Sequence, residues 1–115
     1  MSTTGRSLVV VLTTVANEAE ARTLAATLVR ERLAACVNRI AVGSTYRWRG
    51  KVEDEAEQLL VIKTAEDLLV ALERRVGELS SYDVPEFVAL QPAATSDFYL
   101  AWLLESCPAP ADPGA

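Results

Sequence analysis

Two runs of alternating apolar and polar positions meet near residue 50 and predict a long β-hairpin around which the chain is organised. Along 44–49, Ser44, Tyr46 and Trp48 alternate with Thr45, Arg47 and Arg49, and the β-branched and aromatic members are typical of a half-buried strand. The return run, 52–62, begins acidic and ends in consecutive aliphatic residues, so its second half is expected in the core. We place a two-residue turn at Gly50-Lys51 because glycine takes a positive φ there, although a bulged turn fits nearly as well.

In that two-residue register the basic arm of the hairpin faces the acidic arm. Trp48 faces Glu53 and Arg47 faces Asp54, a pairing that favours cross-strand contacts. Exposed ion pairs contribute at most ~1 kcal/mol each, so this pairing indicates no function by itself. The acidic run 53–57 offers oxygen ligands for a hard cation, but a solvated strand face is the commoner arrangement.

Strand and helix patterns also precede the hairpin. The valine-rich run 8–12 predicts a buried central strand rather than the apolar part of a signal peptide. Asn17 and Glu20 have the spacing of a capping box, and apolar residues at helical intervals follow to about residue 32. Residues 35–40 then return to extended chain, which passes Gly43 and enters the hairpin.

A second helix, a short strand and a third helix are predicted after the hairpin. Thr64 is assigned as the cap of the second helix, whose apolar positions recur over 65–79. Turn-forming residues fill 80–85, and 86–90 predicts a short strand. Ser96-Asp97 then provides the cap of a last short helix.

The predicted order of elements is that of the α+β ferredoxin-like split βαβ fold (βαββαβ), with a long hairpin and a short C-terminal helix. Its right-handed crossovers place the first and third strands in the centre and the first hairpin arm at an edge. An edge that presents Tyr46 and Trp48 favours a homo-oligomer over a monomer protected by its surrounding charges. Residues 1–105 are expected to form one domain, and the proline-rich residues 106–115 a disordered tail.

Composition narrows the function mainly by exclusion. The 115 residues carry a net charge of −5 and include no histidine, so the commonest acid–base group and metal ligand is missing. The only basic cluster is a small one at 47–51, so no nucleic-acid partner is expected, and no apolar run predicts a membrane span. The two cysteines make a poor disulfide framework and suit a reducing cytoplasm.

Two further features offer chemistry. Cys36 lies in a predicted strand and is interpreted as a small buried hydrophobe in preference to a reactive thiol. Lys63 and Glu86 each lie at the end of a predicted strand, where functional residues gather, although an ordinary ion pair explains them equally well.

Beyond these local patterns, several segments resemble the successive signatures of the CutA divalent-cation-tolerance family. The resemblance extends in order over about residues 8–104. The segments that carry it are Glu31-Arg32-Leu33-Ala34-Ala35-Cys36-Val37-Asn38, Tyr46-Arg47-Trp48-Arg49-Gly50-Lys51, Ile62-Lys63-Thr64, Tyr82-Asp83-Val84-Pro85-Glu86 and Tyr99-Leu100-Ala101-Trp102-Leu103.

The resemblance implies a homotrimer of ferredoxin-like subunits, similar to the trimeric PII signalling proteins, with hairpin strands paired across subunits. It places Tyr46 and Trp48 at the trimer interface. It also implies an inter-subunit pocket that contains Cys36, Trp48, Lys63, Tyr82 and Glu86. Copper binding has been proposed for some members of the family, which is not known as a group of enzymes.

This chain departs from the family where metal binding is concerned. Members with proposed copper ligands carry a cysteine in the first strand and a His-Pro-Tyr loop before the last strand. Thr13 and Ser80-Ser81-Tyr82 occupy those positions here. Copper or another divalent cation is therefore implied by the family while its usual ligands are absent, and no metal ligand is assigned.

The function that the resemblance implies is a trimeric, cytoplasmic binding or signalling module linked to divalent-metal response. The alternatives are a PII-like sensor of a small molecule and, from a different class, an enzyme with a site in the inter-subunit cleft. Lys63 and Glu86 are the acid–base pair that such an enzyme would use. A small-molecule or protein partner is expected, but the sequence does not identify it.

Overall fold

The computed structural model describes residues 5–110, which form one antiparallel sheet with helices on both of its faces. The strands and helices are β1 (Leu8–Val15), α1 (Glu18–Arg30), β2 (Cys36–Trp48), β3 (Lys51–Ala65), α2 (Leu69–Leu79), β4 (Val88–Leu90) and α3 (Asp97–Ser106). A short 3-10 helix, Glu66–Leu68, connects β3 to α2. The predicted α+β class and the predicted order of elements are confirmed.

The sheet has the strand order β2-β3-β1-β4, with antiparallel pairing throughout. As predicted, the first and third strands are central, and the first hairpin arm, β2, lies at an edge. β2 pairs with β3 along its whole length, from Cys36 opposite Lys63 to Trp48 opposite Lys51. The hairpin extends well beyond the rest of the sheet, because β1 pairs only with the half of β3 that follows Glu57.

The main core lies between the sheet and the helices α1 and α2. Alternate residues of β1 and β3 point into it, and each fully buried aliphatic side chain stabilises the fold by about 1.5–3 kcal/mol. Besides Ala21 and Ala34, the fully buried members are Val9, Val11, Val15, Leu24, Leu28, Leu60, Ile62, Leu72 and Val76. A second, smaller core joins α3 to the ends of β1 and β3.

The predicted caps of α1 and α3 are confirmed. Asn17 Oδ1 accepts a hydrogen bond of 2.8 Å from the Glu20 amide, and Ser96 Oγ accepts one of 3.3 Å from the Tyr99 amide. α1 ends at Arg30, slightly earlier than predicted, and Arg32 follows in the left-handed region with φ 62°.

The hairpin turn lies one residue earlier than predicted. Arg49 and Gly50 form the loop with φ values of 51° and 81°, and positive φ at both positions is the requirement of a type I′ turn. Glycine occupies the second position, and the arginine takes the less favourable left-handed conformation at the first. The predicted facing pairs are therefore wrong: the observed pairs are Trp48 with Lys51, Arg47 with Val52, Tyr46 with Glu53 and Thr45 with Asp54.

Thr64 does not cap a helix. It lies inside β3, fully buried, and its hydroxyl donates a hydrogen bond of 2.8 Å to the carbonyl oxygen of Leu33. The pairing of β3 with β1 continues as far as Ala65 opposite Leu8. Thr64 therefore belongs to the strand, and the helix begins after it. The helical segment begins only at Glu66–Leu68, where no side chain caps it.

The predicted tail begins too early. α3 includes Ser106, and Cys107 is fully buried in the smaller core, where burial raises the pKa of its thiol. The Arg6 guanidinium donates a hydrogen bond of 2.7 Å to the carbonyl oxygen of Cys107. The expectation of a tail without buried contacts is thus wrong for residues 106–107, and residues 111–115 lie outside the described part of the chain.

Deleting residues 106–115 is expected to lower the free energy of unfolding by roughly 2–4 kcal/mol, because it removes a fully buried side chain and an acceptor of Arg6. Urea unfolding at a fixed protein concentration measures the change. As a control, Cys107→Ala keeps the backbone carbonyl that accepts from Arg6. It is expected to lower the free energy of unfolding by about 1 kcal/mol. An unchanged unfolding midpoint after the deletion would show that the docked Cys107 contributes no stability.

Candidate functional site

A cavity of about 880 Å³ opens where the projecting hairpin meets the loop that precedes β4. Facing residues of antiparallel strands share one side of a sheet, so Tyr46 and Glu53 project together, as do Ser44 and Glu55. We call it the acidic–aromatic cavity, after the side chains that line it: Tyr46, Trp48, Glu53, Glu55, Glu57, Tyr82, Asp83, Pro85 and Glu86, with smaller neighbours.

The innermost polar contact of the cavity joins Tyr82 to Glu57. Glu57 is only 8% exposed, and its carboxylate accepts a hydrogen bond from the Tyr82 hydroxyl. Burial, together with this hydrogen bond, raises the pKa of Tyr82 above its ordinary value. Tyr82 therefore stays protonated near neutral pH and serves as a fixed donor to the buried carboxylate.

A second tyrosine and carboxylate lie nearer the mouth of the cavity. The Tyr46 hydroxyl donates to Glu55 Oε1, and this hydrogen bond is the main reason that the pKa of Tyr46 rises to about 12. The charges of Glu57 and Glu53 act in the same direction. The carboxylates thus create a negative field in a recess walled by aromatic rings, an environment that favours cations.

Hydrogen bonds at two points hold the loop that closes the cavity. The Glu20 carboxylate accepts hydrogen bonds of 2.8 and 2.9 Å from the amide and hydroxyl of Ser81. The hydroxyl of the fully buried Thr13 donates a bond of 2.6 Å to the Glu86 carbonyl oxygen. Thr13, which stands where family members with proposed copper ligands carry a cysteine, therefore positions the loop in this chain.

The structure brings together some of the predicted pocket residues and separates others. Trp48, Tyr82 and Glu86 line the acidic–aromatic cavity. Cys36 and Lys63 face each other at the opposite end of the hairpin. Along β2, Cys36 and Trp48 are twelve residues apart, a distance of roughly 40 Å. One chain therefore does not bring all five predicted pocket residues together. A pocket shared by the five needs another copy of the chain and stays a prediction.

Cys36 and Lys63 form a small polar cluster of their own. The Lys63 ammonium donates to Asn38 Oδ1, and the Cys36 sulfur lies 4.0 Å from the same oxygen. Cys36 is half-buried rather than buried as predicted. No hydrogen bond or ion pair joins Lys63 to Glu86, so the arrangement does not support the acid–base pair of the enzyme alternative.

Sequence reasoning missed the role of the acidic strand. The run 53–57 was assigned to a solvated face, whereas Glu53, Glu55 and Glu57 line the cavity and Glu57 is buried. Their period of two was visible in the sequence and indicates one shared side of the strand. The partner Tyr82 was not visible as such, because it lies 25 residues further along the chain.

The described residues do not fit a resident copper ion. Between residues 5 and 110, no group of three or more aspartate, glutamate or cysteine side chains is arranged to hold a metal ion. The sequence contains no histidine, and Cys107 is enclosed in an apolar cluster. Carboxylates prefer hard cations, whereas imidazole and thiolate ligands give copper its affinity.

Copper(II) is accordingly expected to bind weakly and without a defined stoichiometry. Exposed carboxylates attract it mainly through their charge, which ~0.15 M salt largely screens. Isothermal titration at that salt concentration measures the affinity and stoichiometry of copper(II) binding. The same titration of a Cys36→Ser variant detects any contribution from the accessible thiol. Saturable binding of one copper(II) per chain, tighter than about micromolar, would contradict the expectation.

Comparison with known proteins gives consistent results for family and fold. The family model for the CutA1 divalent ion tolerance protein matches residues 9–106. The divalent-cation tolerance protein CutA of Thermus thermophilus is 49% identical over 98 residues, which cover 84% of this chain and 95% of that protein. A crystal structure of CutA1 from Oryza sativa has a TM-score of 0.85 at 42% identity, covering 91% of this chain and 95% of the other.

Some relatives are considerably longer. The chloroplastic protein CutA of Arabidopsis thaliana is 46% identical over 99 residues, which cover 85% of this chain but 54% of that protein. This chain therefore spans about half the length of that relative.

Proposed function

Because the chain belongs to the CutA1 divalent ion tolerance protein family, we propose that it is a homotrimeric binding module serving divalent-cation tolerance, with the acidic–aromatic cavity as its ligand site. The observation that carries the proposal is the cavity, in which carboxylates and aromatic rings surround a recess held by a fixed loop. We assign it a binding role rather than catalysis, since both tyrosines have raised pKa values and the chain has no histidine.

The free edges of the sheet support the proposed trimer. β2 is 13 residues long and pairs with β3 on one side only, and β4 occupies the opposite edge. A long unpaired edge strand is a template for another chain. Pairing of β2 with an edge strand of the next copy is a head-to-tail contact, and three such contacts close a ring.

The side of the sheet away from α1 and α2 provides apolar area for the same assembly. Ile40 faces Leu59 and Val88 faces Leu12, opposite in direction to the core residue Leu60. We call this the open sheet face. Its most exposed aliphatic members, at 44–47% exposure, are Ile40, Val88 and Leu90. Removing such area from water stabilises an interface by about 25 cal/mol per Å².

The cavity ligand is expected to be cationic, since all five charged side chains that line the site are carboxylates. The test compares Glu53→Gln/Glu55→Gln with Glu73→Gln/Glu105→Gln, which removes the same charge from exposed helix positions. Cells that depend on this protein should lose tolerance to added divalent cations with the first variant and keep it with the second. Equal tolerance with both variants would exclude the cavity as the functional site.

A PII-like sensor of a small molecule is the second candidate, and the volume of the cavity favours it. A recess of about 880 Å³ lies in the range of small-molecule sites, roughly 300–1,000 Å³. Native mass spectrometry of gently purified protein distinguishes the two candidates. An organic molecule retained by the assembly supports the sensor, and its absence together with cation-dependent tolerance supports the first candidate.

We also place the protein in the cytoplasm. Both cysteines are free thiols, one half-buried and one buried, which suits a reducing compartment. Among the described helices, none has the length and apolar character needed to cross a membrane.

A further inference from the structure

A second depression, of about 600 Å³, lies between α1 and β2 on the helix side of the sheet. Its floor is apolar, formed by Ala25, Ala26, Val29 and Val37, and its charged members are all arginines. We call it the arginine groove, after Arg22, Arg30 and Arg39, which line it together with that floor.

The fold explains why these arginines share one groove. Arg22 and Arg30 are eight residues apart on α1, with Ala26 midway, so helical spacing places all three on one side of the helix. Arg39 pairs with the buried residue Leu60 in the sheet and therefore projects on the same side as the core and α1.

The positive charge of the groove is largely uncompensated. Arg22 forms an exposed pair of 3.3 Å with Glu18, a kind of contact that contributes little. Over residues 5–110, Arg30 and Arg39 make neither an ion pair nor a side-chain hydrogen bond. No carboxylate lines the groove, although the whole chain carries a net charge of −5.

We infer that the arginine groove is a binding site for small organic phosphates. Guanidinium groups bind phosphate oxygens through two parallel hydrogen bonds, and clustered unpaired arginines gain most from a multiply charged oxyanion. The apolar floor contacts the organic part of the ligand. The site lies on the helix side of the sheet, so it is separate from the acidic–aromatic cavity and independent of the function proposed for it.

Isothermal titration of the intact protein with phenyl phosphate at ~0.05 M salt tests the inference. We expect saturable binding of one ligand per chain, tighter than that of inorganic phosphate because of the apolar floor. Arg30→Gln and Arg39→Gln should each weaken it about tenfold, the loss expected for a charged hydrogen-bond donor. Arg74→Gln, which removes the same charge from an exposed position of α2, should change it less than about twofold.

Several results would overturn the inference. They are the absence of saturable phenyl phosphate binding, an equal loss in Arg39→Gln and Arg74→Gln, and tighter binding of a polyglutamate peptide than of phenyl phosphate. The last result would indicate an acidic protein partner instead. Light scattering on each variant confirms that a loss of binding does not come from a change of assembly.

Discussion

Ile40→Glu is expected to break the assembly into single chains, whereas the same type of change at Val70 should leave it intact. Ile40 is 46% exposed on the open sheet face, which the proposed trimer covers. A carboxylate buried there without a partner costs several kcal/mol in every copy, enough to shift the equilibrium to monomers at micromolar concentration. Size-exclusion chromatography with light scattering measures the mass.

Val70→Glu is the matched control because Val70 is also aliphatic and β-branched, and is 79% exposed on α2. Both variants add one negative charge, so a general effect of charge appears in both. An intact assembly in Ile40→Glu would remove the open sheet face from the interface. Dissociation of both variants would indicate charge repulsion rather than a lost apolar contact.

Tyr82→Phe is expected to destabilise the fold by about 1–3 kcal/mol, because it leaves the carboxylate of Glu57 buried without its hydroxyl donor. Tyr46→Phe is the matched control, since it removes the same hydroxyl from a pair with the exposed Glu55. Denaturant unfolding at one protein concentration compares the two variants with the wild type. Equal effects would mean that the burial of Glu57 is irrelevant to stability.

The same pair predicts a pH dependence. The folded state raises the pKa of Tyr82 above the ordinary value of 10.0. The contribution of protonated Tyr82 to the free energy of unfolding is therefore fully present below pH 10, where tyrosine in the unfolded chain is also protonated. It is lost as the pH rises through the pKa of Tyr82 in the folded state. The stability difference between wild type and Tyr82→Phe should shrink above pH 10, and a difference that grows there would contradict the assignment.

Features of the fold that depend on local signals were predictable from the sequence. Alternation in the hairpin arms and helical spacing after Asn17 gave the right element types, because each pattern buries one side of its own element. Asn17 and Ser96 were recognisable as caps because Asn and Ser are preferred at the N-cap position of a helix. In the structure each side chain accepts a hydrogen bond from the amide three residues further along.

The errors occur where a distant contact decides the structure. Thr64 has the chemistry of a cap, but the pairing of β3 with β1 reaches past it. Cys107 follows the last predicted helix and precedes prolines, yet the smaller core encloses it. The turn was misplaced by one residue because Arg49 takes a left-handed conformation that sequence preference does not favour.

The candidate site was predictable in part. Trp48, Tyr82 and Glu86 were expected in one inter-subunit pocket; within a single chain they line the acidic–aromatic cavity, and the pocket between subunits stays a prediction. Glu57 was not expected there, since its burial depends on Tyr82 from a loop far along the chain. Cys36 and Lys63 lie at the other end of the hairpin, and only a second copy can bring their counterparts to the cavity.

The mass of the native protein tests the proposed trimeric module most directly, because both the use of the free β2 edge and a pocket shared between chains depend on assembly. Native mass spectrometry, supported by light scattering at micromolar concentration, is expected to give three times the 12.4 kDa mass of the chain. A stable mass of one chain under the same conditions would contradict the proposal.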